Sequence, residues 1–499
     1  MKQRGLQERE QPGALKKIIR NITGEIPIFK QNFGKVKRLT WLMLLWMWGV
    51  AAQPADCYTV VVGKSVSKTG HVLAAHNEDD YGNLVVNLYR VPAGFFRTRD
   101  SAYVKDDPWF ARRPAGLLWF QTTRQDFGDA YVNEYGITIF SNQCRSREDT
   151  ASGRLTHDLR RLVIQYAESA RHGVKLLGHL VEKYGYGASG RTYTIADDQE
   201  AYLVAVVQGR HWMAQRVPDD RVAVIPNYYT IDKVNLADTI NFLYSPDIVS
   251  YAISRGWYDP ATDGDFSFRR AYADPSTLDA SWNKPRHWAG LRYLKPSYYY
   301  ADYYNPDDEY PFAVEPDSLV GVDDLQTILS DHFEGSALGK YDGLDNPHNM
   351  EPLPVCHRGN KFALVVMLMS KFPWYPGNFV YWAPMNGCMH PFVPLSLAVE
   401  RIPRRYQSYP LREALDKQRQ KEPNLFEQNP RHLFSILEKH RKWVNKDYFR
   451  RIGDERKAAG SLEDKIRRIR QRNNPARGST KILKAYYKFY RKRIKHLHE

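Results

Sequence analysis

Residues 191–227 constrain the fold most, because their apolar and polar side chains alternate over successive short segments. Asp-Asp, Gly-Arg and Pro-Asp-Asp separate the segments, and such residues are typical of turns. Alternation with a period of two predicts a β-meander. Just before it, residues 155–185 carry apolar side chains at helical spacing and end in Gly185, which predicts two helices joined near Ala170. Helices inserted between β-segments predict an α+β sandwich.

Several other segments fit this fold class. Two strands are predicted on either side of the turn at Glu134-Tyr135-Gly136. The segment "DDLQTILSDHFEG" predicts a helix that ends in Gly335. Further strands are predicted at residues 58–63 and 72–80, which form a hairpin, and at 360–372 and 377–385.

The net charge of +16 is concentrated at the two ends of the chain. Residues 401–499 hold 29 Lys and Arg against 11 Asp and Glu, and residues 1–40 hold ten against three, so residues 41–400 are net negative. We therefore expect no specific nucleic-acid binding by the body of the protein. The basic tail is suited to contact with an anionic membrane, another polyanion, nucleic acid or the acidic body of its own chain, and the simpler alternative is a solvated helical face.

The first 56 residues have the order of an export signal. Basic residues 35–38 precede the apolar run 41–52, which is too short to span a bilayer comfortably, since about 20 residues are needed. Cleavage after Ala52 would leave residues 53–56 as a short pro-piece; the alternative is an uncleaved interfacial anchor. We therefore predict three parts: a removed segment 1–56, a domain 57–405, and a basic helical extension 406–499, where the composition shifts to Lys, Arg, Glu and Gln.

Cys57 stands directly after this segment and before a predicted strand. If processing makes it the first residue, its thiol and its α-amine provide a nucleophile and a base in one residue, because the amine has a pKa near 7.7–8.0. The alternatives are a buried strand thiol or a disulfide partner. Only Cys144, Cys356 and Cys388 remain, so at most one disulfide forms if Cys57 is free.

An ordered series of motifs is similar to a known family. The opening "CYTVVVGKSVSKTGHVLAAHNEDD" is followed by "VNEYGITI", "PRHW", "DHFEG" and "YWAPM". This series, over roughly Cys57 to Tyr406, resembles the cysteine-nucleophile dipeptidase family, which is related to choloylglycine hydrolases and penicillin V acylases. The resemblance implies an N-terminal-nucleophile hydrolase with a four-layered αββα core, to which the basic helical extension is added.

The resemblance also implies the catalytic residues. Cys57 is the nucleophile, and Asp79 orients its amine and thiol. Asn142 and Asn227 end predicted strands and match the asparagines that stabilise the oxyanion and orient substrate. Arg286, in "PRHW", matches an arginine that steadies the surroundings of the cysteine. The alternatives are turn residues for Asp79 and the two asparagines, and a surface residue for Arg286.

One position departs from the family pattern. His76 stands where many members have an arginine, which leaves the substrate preference and the electrostatics of the thiol open. His332 and Glu334 are predicted on different faces of a helix, and Cys356-His357 is an isolated pair. We therefore predict no metal and no cofactor.

The sequence thus predicts an exported cysteine peptidase of the dipeptidase type that acts on dipeptides or short peptides. One alternative is an acylase that cleaves non-peptide amides of the bile-salt or penicillin type. The other is a non-catalytic, membrane-anchored binding protein. The sequence is compatible with a homo-oligomer as well as a monomer.

Overall fold

The computed structural model describes residues 57–80, 84–95, 100–123, 129–156, 158–372, 377–417 and 428–496. The predicted export signal and pro-piece lie outside the described residues. No helix within these ranges is long and apolar enough to cross a membrane.

The strands form two antiparallel sheets. The order in the six-stranded sheet is β10-β1-β2-β12-β13-β14, and in the eight-stranded sheet it is β11-β9-β8-β7-β6-β5-β4-β3. The strands are β1 (Tyr58–Val62), β2 (Leu73–Asp79), β3 (Val86–Val91), β4 (Leu117–Thr122), β5 (Ala130–Asn133), β6 (Thr138–Gln143), β7 (Arg191–Ala196), β8 (Ala201–Val206), β9 (Trp212–Arg216), β10 (Val222–Ile225), β11 (Phe242–Tyr244), β12 (Asn360–Met367), β13 (Phe379–Pro384) and β14 (Val393–Ser396).

The α-helices lie mainly in three stretches of the chain, and 3-10 turns occur at Lys64–Val66, Pro108–Phe110, Pro347–Asn349 and Arg404–Tyr406. The α-helices are α1 (Ser101–Val104), α2 (Asp158–Tyr166), α3 (Ala170–Tyr184), α4 (Ile248–Ser254), α5 (Phe268–Tyr272), α6 (Pro275–Leu278), α7 (Lys284–Leu294), α8 (Val322–Leu329), α9 (Leu411–Lys417), α10 (Leu433–Asn445), α11 (Tyr448–Arg472) and α12 (Pro475–His496).

Local patterns in the sequence identified most of these elements. The predicted hairpin β1–β2, the strands β5 and β6, the helix pair α2–α3 and the late strands β12 and β13 are confirmed. The predicted meander holds for β7, β8 and β9, which are neighbours in the eight-stranded sheet. The last segment of that stretch, β10, instead pairs with β1 in the other sheet.

The helix predicted to end in Gly335 is shorter. It ends at Leu329, and the residues after it form a turn in which Phe333 has a φ of 66°. That backbone conformation is left-handed and interrupts a right-handed helix. His332 and Glu334 therefore do not lie on two faces of one helix, as the sequence had indicated. The Nδ1 atom of His332 lies 2.7 Å from Oε1 of Glu334.

Three clusters of buried apolar side chains hold the sheets and helices together. One joins the two sheets and includes Val61 and Leu364 from one sheet and Leu88 and Leu203 from the other. A second lies between α2, α3 and the eight-stranded sheet. A third lies between α7, α8 and the six-stranded sheet. Both sheets are thus covered on two faces, which explains why every residue of β1 and of β8 is buried.

The segment after residue 405 is helical and packs on the same core. Leu433 and Leu437 of α10 and Leu483 and Tyr486 of α12 belong to the cluster that joins the sheets. The change in composition near residue 405 therefore does not separate two hydrophobic cores.

Candidate active site

Cys57 lies at the beginning of β1, beside the end of β2. The register pairs Tyr58 with Asn77, which places Cys57 next to Glu78. The Cys57 thiol donates to Oε1 of Glu78 at 3.5 Å and approaches the main-chain oxygen of Asp79 at 4.0 Å. Only 2% of Cys57 is exposed. The thiol of Cys57 is therefore buried against the carboxylate of Glu78 and the main chain of Asp79.

This environment controls the acidity of the thiol. Burial raises the pKa of Cys57 well above its usual value, and the negative charges of Glu78 and Asp79 raise it further. A hydrogen bond with the main chain of Asp79 and the positive charge of Arg191 act in the opposite direction. The thiol is protonated at neutral pH, so its use as a nucleophile requires a nearby base.

Asp79 is fully buried at the end of β2 and is held by two residues that are distant from it in the sequence. Its Oδ1 accepts a hydrogen bond from Nδ2 of Asn360 at 2.5 Å, and its Oδ2 lies 3.1 Å from Nε2 of His357. Burial raises the pKa of Asp79, while the charge of Arg286 counteracts this shift. Asp79 thus contacts Cys57 through its main chain, and the orienting role of its carboxylate stays a prediction.

Arg286 and Asn227 converge on Cys57. Arg286, on α7, donates from Nη1 to the Cys57 carbonyl oxygen at 3.4 Å and from Nη2 to Oδ1 of Asn227 at 2.8 Å. Asn227 follows β10, the neighbour of β1, and donates from Nδ2 to the Gln143 carbonyl oxygen at 2.9 Å. Because Arg286 is completely buried, this arrangement fixes both the cysteine backbone and the amide.

Asn142 bonds with Thr59, the second residue after Cys57. Its Nδ2 donates to the main-chain oxygens of Ile225 and Pro226, at 2.9 and 3.3 Å. Its Oδ1 accepts a hydrogen bond from Thr59 at 2.6 Å. The side-chain nitrogen and oxygen of Asn142 are thus both hydrogen-bonded, and they connect β6 with β10 and β1. Asn142 thereby positions the strand that begins after Cys57.

His76 belongs to the same polar network. Its Nε2 lies 3.1 Å from Oε2 of Glu78, and its Nδ1 lies 2.9 Å from Oγ1 of Thr59. Its ring stacks on Phe140 with the centroids 4.6 Å apart. A continuous chain of polar contacts therefore runs from Cys57 through Glu78, His76 and Thr59 to Asn142.

Reasoning from the sequence missed four residues of this site. Glu78 follows from the register of the β1–β2 hairpin, which the hairpin prediction did not specify. Arg191, on β7, donates to Oγ of Ser141 at 3.2 Å and influences the thiol through its charge. His357 and Asn360 come from the region of β12, and no local pattern connects them with β2.

A comparison with known families decides the relationship that the motifs suggested. The family model described as Peptidase family C69 matches residues 132–419, which is more than half of the chain. The chain belongs to peptidase family C69. The match includes Asn142, Asn227 and Arg286 and begins downstream of Cys57 and Asp79.

Several proteins with similar sequences are named as dipeptidases. The chain is 27% identical over 341 residues to a probable dipeptidase of Salmonella dublin, which covers 66% of this chain and 77% of the relative. A dipeptidase of Bifidobacterium longum is 26% identical over 389 residues, with coverages of 68% and 71%. A probable dipeptidase of Latilactobacillus sakei is 27% identical over 304 residues, and the match spans 58% of this chain and 62% of that relative.

Among solved structures, a variant of the conjugated bile acid hydrolase from Clostridium perfringens aligns with 66% of this chain and 89% of its own. The sequence identity is 11% and the TM-score is 0.28. A TM-score this low does not define a shared fold.

Proposed function

We propose that this C69 peptidase is an exported dipeptidase whose nucleophile is the thiol of an N-terminal Cys57. The observation that carries the proposal is the enclosure of Cys57: its thiol contacts Glu78 and its carbonyl oxygen is held by Arg286. A structural thiol does not require a buried arginine on its own carbonyl group. Membership of the family and the dipeptidase relatives support the substrate class.

In this mechanism, hydrolysis of the bond between Asp56 and Cys57 first releases the α-amine. The amine accepts the thiol proton, and Sγ bonds to the scissile carbonyl carbon. The carbon–nitrogen bond then breaks, and the leaving amine takes the proton. Water adds to the resulting thioester while the α-amine accepts a water proton, and cleavage of the carbon–sulfur bond restores the thiol. The amine supplies the base that a protonated, buried thiol requires.

The other polar residues fit supporting roles. Arg286 fixes the main chain of the nucleophile, and Asp79 orients the new amine. Asn227 is our candidate oxyanion donor, because its amide is held next to Cys57 by Arg286. Its present acceptor is the Gln143 carbonyl oxygen, so substrate must compete for that amide group. Asn142 acts by positioning β1.

The overall architecture that we propose is a four-layered αββα sandwich with a basic helical extension. Its support is the packing of α2 and α3 on the outer face of one sheet and of α7 and α8 on the outer face of the other. Export is proposed from the basic and apolar order of residues 35–52. Contact of the basic tail with an anionic surface is part of the same proposal.

Hydrolysis of a panel of dipeptides, compared with acylated amino acids and bile-salt or penicillin amides, tests the substrate class. We expect turnover of dipeptides by processed protein, its loss in Cys57→Ala, and its retention in Cys144→Ala, in which a different buried cysteine is changed. Preferential turnover of the non-peptide amides would show that the protein is an acylase and not a dipeptidase. Full dipeptide turnover in Cys57→Ala would exclude Cys57 as the nucleophile.

A further inference from the structure

Four metal-ligand side chains converge outside the candidate active site: His332, His348, Cys356 and Cys388. One ligand atom from each residue lies within 4.8 Å of those of all the others, and all four residues are buried. We propose that this Cys2His2 cluster binds one zinc ion. The prediction of no metal treated His332 and Cys356 as separate, and the fold brings them together.

The ligands come from four separate segments near one end of the six-stranded sheet. His332 lies in the turn after α8, and His348 lies in the 3-10 turn Pro347–Asn349. Cys356 precedes β12, and Cys388 follows β13. A metal ion would therefore cross-link loops that have little regular structure of their own. Such a link is a common function of structural zinc sites.

The two histidines present suitable ring nitrogens. Oε1 of Glu334 lies 2.7 Å from Nδ1 of His332. This contact resembles the carboxylate–histidine pairs that orient zinc ligands. The Nε2 atom of His332 is buried and has no hydrogen-bond partner among the described residues. A ring nitrogen of His332 lies within 4.8 Å of Sγ of Cys356. Nε2 of His348 lies 3.2 Å from Sγ of Cys388.

The chemistry of the cluster selects zinc. Two thiolates and two imidazoles form a typical tetrahedral zinc set, with Zn–S near 2.3 Å and Zn–N near 2.0–2.1 Å. These bond lengths imply ligand separations of roughly 3.3–3.8 Å, so closing the cluster requires side-chain movements of about 1 Å. The two thiols would lose their protons on binding. Nδ2 of Asn386, 3.4 Å from Sγ of Cys356, provides a hydrogen bond to one thiolate.

The C-terminal extension covers the cluster. The ring of Tyr448, at the start of α11, has its centroid 5.9 Å from that of His332 and 5.3 Å from that of His348. Val444 of α10 also packs with the two cysteines. This apolar cover favours a structural ion with four protein ligands over a catalytic ion that is open to substrate.

The cluster is also connected to the candidate active site. Asn386 donates to the His357 carbonyl oxygen at 2.8 Å and to Oδ1 of Asn360 at 3.1 Å. His357 and Asn360 both contact the carboxylate of Asp79. An ion bound by Cys356 would therefore fix the loop that holds Asp79. Loss of the ion should therefore also reduce dipeptide turnover, and only this effect on turnover rests on the proposed function.

Metal analysis of the full-length protein tests the proposal directly. The protein is purified under reducing conditions without chelator, and its metal content is measured by inductively coupled plasma mass spectrometry. We expect about one zinc per chain, loss of zinc in Cys356→Ser and Cys388→Ser, and retention in Cys144→Ser, whose cysteine is buried elsewhere. Replacement by Co²⁺ should give the visible bands of tetrahedral cobalt and a thiolate charge-transfer band.

If the serine variants do not fold, measurements on the wild-type protein alone test whether the cysteines bind zinc. Thiol modification with a mercurial reagent should then release about one equivalent of zinc to a colorimetric chelator. Folded wild-type protein without stoichiometric metal would overturn the proposal, as would zinc retained in both serine variants. A disulfide between Cys356 and Cys388 in protein isolated without reductant would also overturn it. Zinc bound to a protein that cleaves no dipeptide would leave this site intact and refute only the proposed function.

Discussion

Glu78 places a carboxylate 3.5 Å from the Cys57 thiol, on the same hairpin. Its charge is the largest contribution after burial that raises the pKa of the thiol. Glu78 also contacts His76, so the charge near the thiol depends on the residue that replaces the family arginine. The identity of residue 76 should therefore influence the acidity of the Cys57 thiol through Glu78.

Glu78→Gln should lower the pKa of the Cys57 thiol, because it removes a negative charge that disfavours the thiolate. The measurement is the rate of iodoacetamide labelling of the Cys57 peptide against pH, followed by mass spectrometry. Labelling near neutral pH should be faster in the variant. Glu148→Gln is the control, since that buried glutamate bonds instead with Tyr251 and Arg255. Identical pH profiles for Glu78→Gln and wild type would contradict the assignment.

The sequence identified Cys57, Asn227 and Arg286, which the structure brings together, because they occur in motifs that can be matched position by position. Glu78 could not be chosen in the same way. Which residue of β2 lies beside Cys57 depends on strand register, and a shift of one residue reverses the faces of a strand. Asn360 reaches Asp79 only because β12 pairs with β2.

At the scale of elements, α7 must approach β1 closely for Arg286 to reach Cys57. Gly290, one turn after Arg286, permits this approach: a Cβ atom there would lie 2.2 Å from the Tyr58 hydroxyl oxygen. Tyr58 is itself fully buried. A side chain at position 290 must therefore move the helix or the tyrosine.

Gly290→Ala should destabilise the protein by about 1–3 kcal/mol, because the added methyl group overpacks a filled core. It should also reduce dipeptide turnover, since displacement of α7 moves Arg286. Chemical denaturation and steady-state kinetics measure the two effects. The matched control is Gly460→Ala in α11, where a Cβ atom meets nothing within 4 Å and alanine favours the helix by up to about 1 kcal/mol. Unchanged stability and activity in Gly290→Ala would contradict close packing of α7.

His432 caps the N-terminus of α10 and gives that helix a dependence on pH. Its Nδ1 accepts from the Phe434 amide at 3.1 Å, and its Nε2 lies 3.1 Å from Oδ1 of Asn87 on β3. Burial lowers the pKa of His432 from 6.5 to about 4. The unfolded chain therefore takes up a proton between pH 6.5 and 4 while the folded protein does not.

The contribution of His432 to stability should be complete above pH 6.5 and should be lost as the pH falls to about 4. The shift corresponds to about 3 kcal/mol. Urea unfolding at several pH values should show a shallower decline for His432→Gln than for wild type. Parallel curves for wild type and His432→Gln would contradict this pH dependence.

Local sequence predicted the elements better than their ends and partners. The helix pair α2–α3 was recognisable because its apolar period is regular. The end of α8 was missed because its C-cap residue is Ser330, whereas a glycine normally marks such a stop. The transfer of β10 to the six-stranded sheet depends on pairing with β1, which alternation within one strand does not encode.

At the scale of the whole molecule, the basic extension contributes to the core as well as to the surface charge. Leu483 of α12 is fully buried in the cluster that joins the sheets. The neighbouring Lys484 is exposed. Composition drew attention to the charged residues, whereas the apolar face of the same helices determines how they pack.

Leu483→Ala should destabilise the protein by about 2–5 kcal/mol, because it removes buried methyl groups and leaves a cavity. Lys484→Ala should change the free energy of unfolding by no more than about 0.5 kcal/mol. Denaturant unfolding, monitored by tryptophan fluorescence, measures both values. Equal, small effects of the two substitutions would show that α12 is not part of the folding unit.

The identity of the first residue of the active protein tests the central claim most directly. The chain is produced in a host that exports it, the fraction that hydrolyses dipeptides is isolated, and its N-terminus is mapped by intact-mass and sequencing methods. We predict that active chains begin at Cys57 and that chains retaining Asp56 are inactive, because their α-amine is still part of a peptide bond. A fully active chain that begins at Met1 or Gln53 would contradict the mechanism.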